Sequence, residues 1–138
     1  MQRKINILLI DDDSLFIFLT KKMIISTGYS TSISECGDGQ QGIEFISSGL
    51  GDIAALPDVI FLDLNMPISD GWEFLEEYAK IESRVPKKID VYVVSSSISP
   101  HDFERSKAYN VVKDFMIKPL DKGKLAEIFE SIANMEAA

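Results

Sequence analysis

The sequence is poor in the residues that build disulfides and transition-metal sites. It contains one cysteine, Cys36, and one histidine, His101. A single thiol cannot form an internal disulfide, and this pair cannot supply the ligands of a structural zinc site. We therefore interpret Cys36 as a structural or incidental thiol in a reducing compartment.

Long apolar runs and an excess of positive charge are also missing. The basic and then apolar N-terminus imitates a signal peptide, but Asp11–Asp13 interrupt the apolar run far too early. No stretch approaches the length of a membrane span. The net charge of −8 is opposite to the basic surface that nucleic acids require. We expect a cytoplasmic protein that contacts neither membrane nor nucleic acid.

What the sequence does contain predicts one globular domain. A chain of 138 residues can bury a single core without disulfides or metals, and its 46% hydrophobic content is ordinary for a soluble fold. There is no repeat, low-complexity tract or linker. We expect one domain over residues 1–138, with its core at about 5–135, either stand-alone or excised from a larger protein.

Apolar segments alternate with helical periodicities along the chain. Strands are predicted at 5–10, 31–36, 58–62, 89–94 and 114–117, and helices near 14–27, after Asp38–Gly39, near 70–81, from Ser99, and at about 121–135. In the first helix, Leu15, Leu19 and Met23 recur at the spacing of one helix face. Strands separated by helices need right-handed crossovers. The predicted class is therefore α/β, a three-layer sandwich with a parallel five-stranded sheet between helices.

Polar side chains follow four of these predicted strands. Asp11 and Asp12 follow the first strand, Asp63 the third, Ser95 the fourth and Lys118 the fifth. An acid after one strand is often only a helix cap. Parallel strands, however, end at one edge of the sheet, where open α/β folds bind their ligands. The set as a whole predicts a site at this edge.

Such a set of side chains suits magnesium-dependent phosphoryl transfer. Three carboxylates repel one another unless a cation lies among them. Oxygen ligands without imidazole or thiolate favour Mg²⁺, with Mn²⁺ as a substitute. A carboxylate that attacks phosphorus forms an acyl phosphate, while the metal, a lysine and a hydroxyl bind the transferring oxygens.

The sequence resembles the receiver domains of two-component response regulators. The motifs are LLIDDDS at 8–14, FLDLNMPISDG at 61–71, VVSSS at 93–97 and FMIKPL at 115–120. The resemblance covers essentially the whole chain and is closest in kind to the single-domain chemotaxis regulator. It implies a flavodoxin-like (βα)5 fold with strand order 2-1-3-4-5.

The resemblance implies a role for each residue at the predicted edge. Asp63 matches the phosphoacceptor, and Asp11 and Asp12 match the acidic pair. Asp12 is expected to bind the metal directly and Asp11 through water. Asn65 is expected to offer its backbone carbonyl to the metal.

Three further positions match the switch and the phosphate contact. Ser95 matches the switch hydroxyl, and Phe115 the switch aromatic, which lacks the frequent tyrosine hydroxyl and must act by ring packing alone. Lys118 matches the phosphate-contacting lysine. The Lys118–Pro119 peptide is expected to be cis, which would aim the lysine into the site.

Other notable residues receive structural interpretations. Asp13 matches no functional position and is interpreted as a helix-entry residue beside the cap Ser14. Trp72 and Phe74 lie beside Leu75 at helical spacing, which favours core packing over a cofactor shelf.

The implied function is that of a phosphoacceptor signalling domain. A sensor histidine kinase or a histidine phosphotransferase would phosphorylate Asp63 in a magnesium-dependent reaction. A downstream protein would read the face made by the fourth helix, fifth strand and fifth helix. The domain would not be an enzyme, because it would catalyse only its own phosphorylation and dephosphorylation.

Two other classes are weighed against this interpretation. A haloacid-dehalogenase-type phosphatase needs a second acid two residues after its nucleophile, where this sequence has Asn65. A flavodoxin-like nucleotide or flavin binder needs a glycine- or hydroxyl-rich phosphate loop after the first strand. Asp11–Asp13 would repel phosphate there. Steady phosphatase turnover would favour the first class, and flavin colour or nucleotide affinity the second.

Overall fold

The structure is a computed structural model that describes residues 4–66, 69–96 and 99–137, with side chains to residue 134. Pro67 of the FLDLNMPISDG motif and Ser97 of the VVSSS motif lie outside the described residues. Among the helices that are described, none is long and apolar enough to span a bilayer.

Strands and helices alternate from end to end. The strands are β1 (Ile5–Ile10), β2 (Thr31–Cys36), β3 (Val59–Asp63), β4 (Asp90–Ser95) and β5 (Val112–Ile117). The helices are α1 (Ser14–Ser26), α2 (Gly39–Ser48), α3 (Gly71–Ile81), α4 (Pro100–Ser106) and α5 (Lys122–Ala137), with short 3₁₀ turns at Ile53–Ala55 and Glu82–Arg84. All strand pairs are parallel, in the order β2-β1-β3-β4-β5. The flavodoxin-like prediction is confirmed.

The sheet buries both of its faces, because successive side chains of a strand point to opposite sides. Ile5, Ile7 and Leu9 of β1 belong to a core cluster that includes Phe129 of α5. The intervening Leu8 and Ile10 belong to a second cluster, which takes in the following side chains of α2 and α3: Ile46, Trp72, Phe74, Leu75 and Tyr78. The sandwich therefore has three layers, and Trp72 and Phe74 are core residues as predicted.

The N-cap of helix α1 lies one residue earlier than the sequence indicated. Asp13, not Ser14, is the N-cap, and its carboxylate accepts the backbone N–H groups of Leu15 and Phe16, each at 3.1 Å. Ser14 is the first helical residue. Asp13 thereby satisfies two of the backbone donors that the first turn of a helix leaves unpaired.

Helix α1 also turns a different face to the core from the one its spacing indicated. Leu15 and Leu19 are 64% and 53% exposed, and Met23 is only partly buried. The buried residues of α1 are Ile17, Thr20 and Ile24. Apolar residues occur all around this helix, so periodicity alone does not select the buried face.

The segment between α2 and β3 is held against the edge where the strands begin. The side-chain amide of Asn6 donates to the carbonyls of Ala54 and Leu56 at 2.9 and 3.2 Å. Lys87 Nζ donates to the Leu56 carbonyl at 3.4 Å. These contacts give residues 47–57 a structural role at the end of the molecule opposite the predicted site.

Strand β5 begins two residues before the predicted 114–117. Lys113 and Asp114 are exposed, and the register shifts by one residue near Val91 and Tyr92 of β4. An outer strand with polar, exposed side chains carries a weak hydrophobic signal, which explains the missed start.

Candidate functional site

Three carboxylates meet where β1 and β3 end. The two strands are neighbours, with Ile10 paired to Leu62, so the residues that follow each of them share one edge. Ligand oxygens of Asp11, Asp12 and Asp63 all lie within 4.8 Å of one another. The predicted convergence of these side chains at one edge is therefore present in the structure.

Asp11 and Asp63 are buried, and both face the Lys118 ammonium. Lys118 Nζ lies 2.8 Å from Asp11 Oδ2 and 3.8 Å from Asp63 Oδ2. The other oxygen of Asp11 accepts the Asp13 backbone N–H at 2.9 Å. Asp63 Oδ1 accepts the Asn65 backbone N–H at 3.3 Å. Asp11 is thus held more tightly than Asp63.

The charge balance of the cluster is negative. Burial, and next the charge of Asp11, raise the pKa of the Asp63 carboxyl to about 6, while Lys118 and the Asn65 N–H lower it. Asp12 adds a further, smaller repulsion. One ammonium does not neutralise three carboxylates, so a cation bound here would relieve the repulsion that raises the pKa of Asp63.

The donor set fits a hard divalent cation. The converging atoms are all carboxylate oxygens, without nitrogen or sulfur among them, which is the preference of Mg²⁺. Asp12 and Asn65 are exposed, so the cluster opens to solvent on that side. An octahedral ion that keeps several waters can be accommodated in such an open position.

Lys118 directly follows β5, the edge strand that lies two strands away from β3. Its backbone N–H donates to the Ser95 carbonyl at 2.9 Å, which ties the end of β5 to the end of β4. The Lys118–Pro119 peptide is cis, as the resemblance implied. The ammonium also lies 4.3 Å from the centroid of the Phe16 ring in α1.

Ser95 and Phe115 occupy different surroundings. Ser95 is buried, at 2% exposure, and directly follows Val94, the β4 partner of Asp63. Phe115 is partly buried and packs beside Phe103 of α4, with ring centroids 6.1 Å apart. The structure therefore places Ser95 at the carboxylate edge and Phe115 toward α4.

Two residues without a predicted role in the site, Phe16 and Gly71, shape the cluster. A Cβ added to Gly71 would lie 2.6 Å from the Asp63 carbonyl oxygen, so only glycine allows α3 to start this close to β3. Gly71 also donates its N–H to the Leu64 carbonyl at 3.1 Å. The signal for both residues was position: each lies in or beside the first turn of a helix that starts at this edge.

Trp72 follows Gly71 and is 9% exposed. The Arg105 guanidinium of α4 lies 4.2 Å from the centroid of its ring. Tyr109 belongs to the segment between α4 and β5, and its ring centroid lies 6.3 Å from that of Trp72. The start of α3 is therefore in direct contact with α4 and with the segment that follows it.

Known proteins resemble this chain in both sequence and structure. The nitrate/nitrite response regulator protein NarL of Escherichia coli is 34% identical over 73% of this chain, and the match spans 41% of NarL. The crystal structure of a two-component response regulator from Cytophaga hutchinsonii superposes with a TM-score of 0.84, at 30% identity, over 96% of this chain and 99% of that one. A phosphorylated cyanobacterial phytochrome response regulator, RcpA, gives a TM-score of 0.73 at 26% identity, over 94% and 91% of the two chains.

The family assignment rests on residues 7–130, which match the response regulator receiver domain. The match runs from β1 into α5 and includes every residue of the carboxylate cluster. It leaves the haloacid-dehalogenase-type alternative without support. This chain belongs to the response regulator receiver domain family, whose members are signalling domains that receive phosphate from histidine kinases.

Proposed function

We propose that Asp63 is the phosphoacceptor of a magnesium-dependent phosphorelay. The observation that carries this proposal is the position of Asp63 at the end of β3, beside Asp11, Asp12 and the Lys118 ammonium. Asp63 is the less tightly hydrogen-bonded of the two buried carboxylates, and so the better nucleophile. The phosphorylated state of the neighbour RcpA supports the same chemistry for this fold.

The proposed reaction transfers one phosphoryl group from a phosphohistidine. An Asp63 carboxylate oxygen attacks phosphorus, the phosphorus–nitrogen bond breaks, and the released histidine nitrogen takes up a proton. Lys118 binds an oxygen of the transferring group, and the Ser95 hydroxyl donates to another. The donor is a sensor histidine kinase or a histidine phosphotransferase, and the reaction takes place in the cytoplasm.

The proposed metal is Mg²⁺, with Mn²⁺ able to replace it. Asp12 would bind it directly, Asp11 through water, and Asp63 and the Asn65 backbone carbonyl would complete the protein ligands. When bound, the ion neutralises the charge that builds up on the phosphoryl oxygens. The role of this chain's residues is to keep the carboxylates close enough together for one ion to bind them all.

The proposed output surface is the face of α4, β5 and α5. Phosphorylated Asp63 would draw the Ser95 hydroxyl toward it and leave room for the Phe115 ring to rotate. Phe115 packs on Phe103 of α4, so this rotation would move the helix. A coupling of about 1–3 kcal/mol would change the affinity of a downstream protein roughly 5- to 150-fold.

The test of the phosphoacceptor uses acetyl phosphate as the donor. With magnesium, the wild-type protein should gain one phosphoryl group that hydroxylamine removes, and a chelator should prevent the gain. Asp63→Ala should abolish it. Asp13→Asn is the matched control, because Asp13 belongs to the same acidic run but caps α1, and asparagine caps equally well. Full phosphorylation of Asp63→Ala would overturn the proposal.

The test of the output surface compares NMR shifts with and without beryllofluoride and magnesium. We expect the shifts of residues 99–135, which include α4, β5 and α5, to exceed those of α1 and α2 in the wild type. Ser95→Ala should keep phosphorylation but lose most of these distant shifts. Shifts confined to the carboxylate cluster in the wild type would contradict the switch and leave a phosphate relay without an output face.

A further inference from the structure

The Lys118 ammonium has a third neighbour besides the two carboxylates. Its Nζ lies 2.8 Å from Asp11, 3.8 Å from Asp63 and 4.3 Å from the centroid of the Phe16 ring. The Lys118 side chain is 17% exposed. A cation this close to an aromatic ring and largely shielded from water is attracted by the ring's electron cloud.

The Phe16 ring is held in place by the same backbone that holds the acidic pair. Asp13 accepts the Phe16 N–H at 3.1 Å and donates its own N–H to Asp11 at 2.9 Å. The ring is partly buried and packs against the core cluster that contains Ile17. The backbone that carries the ring is therefore tied to Asp11 by contacts that do not involve Lys118.

The ring and the carboxylates hold the ammonium in different ways. A divalent cation that engages Asp11 competes with Lys118 for that carboxylate. The Phe16 ring offers no ligand to such a cation, so its attraction for the ammonium persists. We propose that Phe16 is a positioning residue that keeps the Lys118 ammonium beside Asp63 for the oxygens of an incoming phosphoryl group, an inference that rests on the proposed function.

The chain offers a matched control two residues away. Phe18 lies on the same helix, and the Lys22 ammonium is 5.0 Å from the centroid of its ring. Phe18 is 55% exposed, and the ammonium over its ring is that of Lys22 and not that of Lys118. A substitution at Phe18 removes a cation–aromatic contact from α1 without touching Lys118.

The first test measures the ring contact without metal or phosphoryl group. In the wild type, the proton shifts of the Lys118 ε-methylene should lie upfield of their usual position, because this group is bonded to the nitrogen that lies over the Phe16 ring. Phe16→Leu should abolish this upfield shift, Phe16→Tyr should keep it, and Phe18→Leu should leave it unchanged. A Lys118 shift that Phe16→Leu does not alter would overturn the proposal.

The second test measures binding of beryllofluoride, a phosphoryl mimic, at saturating magnesium by fluorine NMR. Phe16→Leu should weaken binding about fivefold, the effect of losing one partly shielded cation–aromatic contact. Phe16→Tyr, which retains the ring, and the Phe18→Leu control should both bind like the wild type. Phe16→Met, which keeps an apolar side chain of similar length, should resemble Phe16→Leu and replaces it if that variant does not fold.

The outcomes separate this inference from the proposed function. If the wild type binds beryllofluoride and Phe16→Leu binds it equally well, Phe16 has no positioning role. If Phe16→Tyr loses as much affinity as Phe16→Leu, packing rather than the ring's electrons is responsible, and the proposal is wrong. If the wild type itself does not bind, both the proposed function and this inference fail.

Discussion

Strand β3 has an aspartate at each end, and the two carboxylates meet opposite surroundings. Asp58, just before the strand, lies 2.6 Å from Lys87 Nζ, and its other oxygen accepts the Asn6 backbone N–H at 2.8 Å. We call Asp58 and Lys87 the basal pair. Asp63, at the far end, lies 3.8 Å from Lys118 and shares that lysine with other acids.

The difference lies in charge balance more than in burial, since Asp58 and Asp63 are both 6% exposed. The basal pair matches one carboxylate to one ammonium at short distance. At the other end, the carboxylates of Asp11, Asp12 and Asp63 lie together, and the Lys118 ammonium contacts two of them, Asp11 at 2.8 Å and Asp63 at 3.8 Å. We call these four residues the rim cluster. Removing one partner of a balanced buried pair is costly because it leaves an uncompensated charge, whereas a surplus of like charge costs stability and leaves a site that gains by binding a cation.

The largest effect should come from breaking the basal pair. Asp58→Asn leaves the Lys87 ammonium, whose side chain is 13% exposed, without its carboxylate. We expect the free energy of unfolding to fall by about 3 kcal/mol, the cost of an uncompensated buried charge. Urea unfolding followed by circular dichroism measures this.

The matched control for the basal pair is an exposed pair of similar length. Lys21 and Glu35 lie 2.9 Å apart with side chains 40% and 49% exposed. Glu35→Gln should change stability by less than about 1 kcal/mol. If Asp58→Asn costs no more than Glu35→Gln, the basal pair is not a stabilising contact and the comparison fails.

The next effect should have the opposite sign. Without metal at pH 7, Asp63→Asn should stabilise the protein by about 2–3 kcal/mol, because it removes a carboxylate whose pKa is raised by burial and by Asp11. Urea unfolding in the presence of a chelator tests this. If Asp63→Asn destabilises the protein instead, the charges of the rim cluster are balanced and the comparison is wrong.

The pH dependence of this gain has a definite direction. The pKa of Asp63 is raised from 3.8 to about 6 in the folded protein, so the folded state binds the proton more tightly than the unfolded state. The stabilising contribution of the protonated carboxyl is complete below about pH 4 and is lost as the pH rises through about 6. The stability difference between Asp63→Asn and the metal-free wild type should therefore be small at pH 4 and grow toward pH 7.

The smallest effect should be the gain from magnesium. At ten times its dissociation constant, the ion should raise the free energy of unfolding of the wild type by about 1.4 kcal/mol. Asp12→Asn should lose most of this gain, and Glu35→Gln should keep it. An equal gain in Asp12→Asn and the wild type would place the ion elsewhere.

The two ends of β3 also differ in how readily the sequence revealed them. The rim cluster was predictable because each member directly follows a strand, and parallel strands end together. The basal pair was not, since Lys87 lies 29 residues from Asp58 in an irregular segment, where no period fixes its position. The order of the strands came from the family resemblance, because local patterning does not determine which strands pair.

The faces of the helices were predictable only where polar residues mark the outside. Helix α3 has glutamates on its outer side, and its buried Trp72, Phe74 and Leu75 were assigned correctly. Helix α1 has apolar residues on all sides, so the spacing of Leu15 and Leu19 did not identify its buried face. Packing against α5 and the sheet, which is a tertiary effect, decides the orientation of α1.

The surroundings of Trp72 have an optical consequence. It is the one tryptophan in the sequence, so the indole emission of the protein comes from a single ring. Trp72 directly follows Gly71, the glycine that packs against the Asp63 backbone. Its ring lies under the Arg105 guanidinium of α4. A displacement of α4 would change the quenching and polarity around this indole, so the emission of the unlabelled protein is a direct test of whether α4 moves.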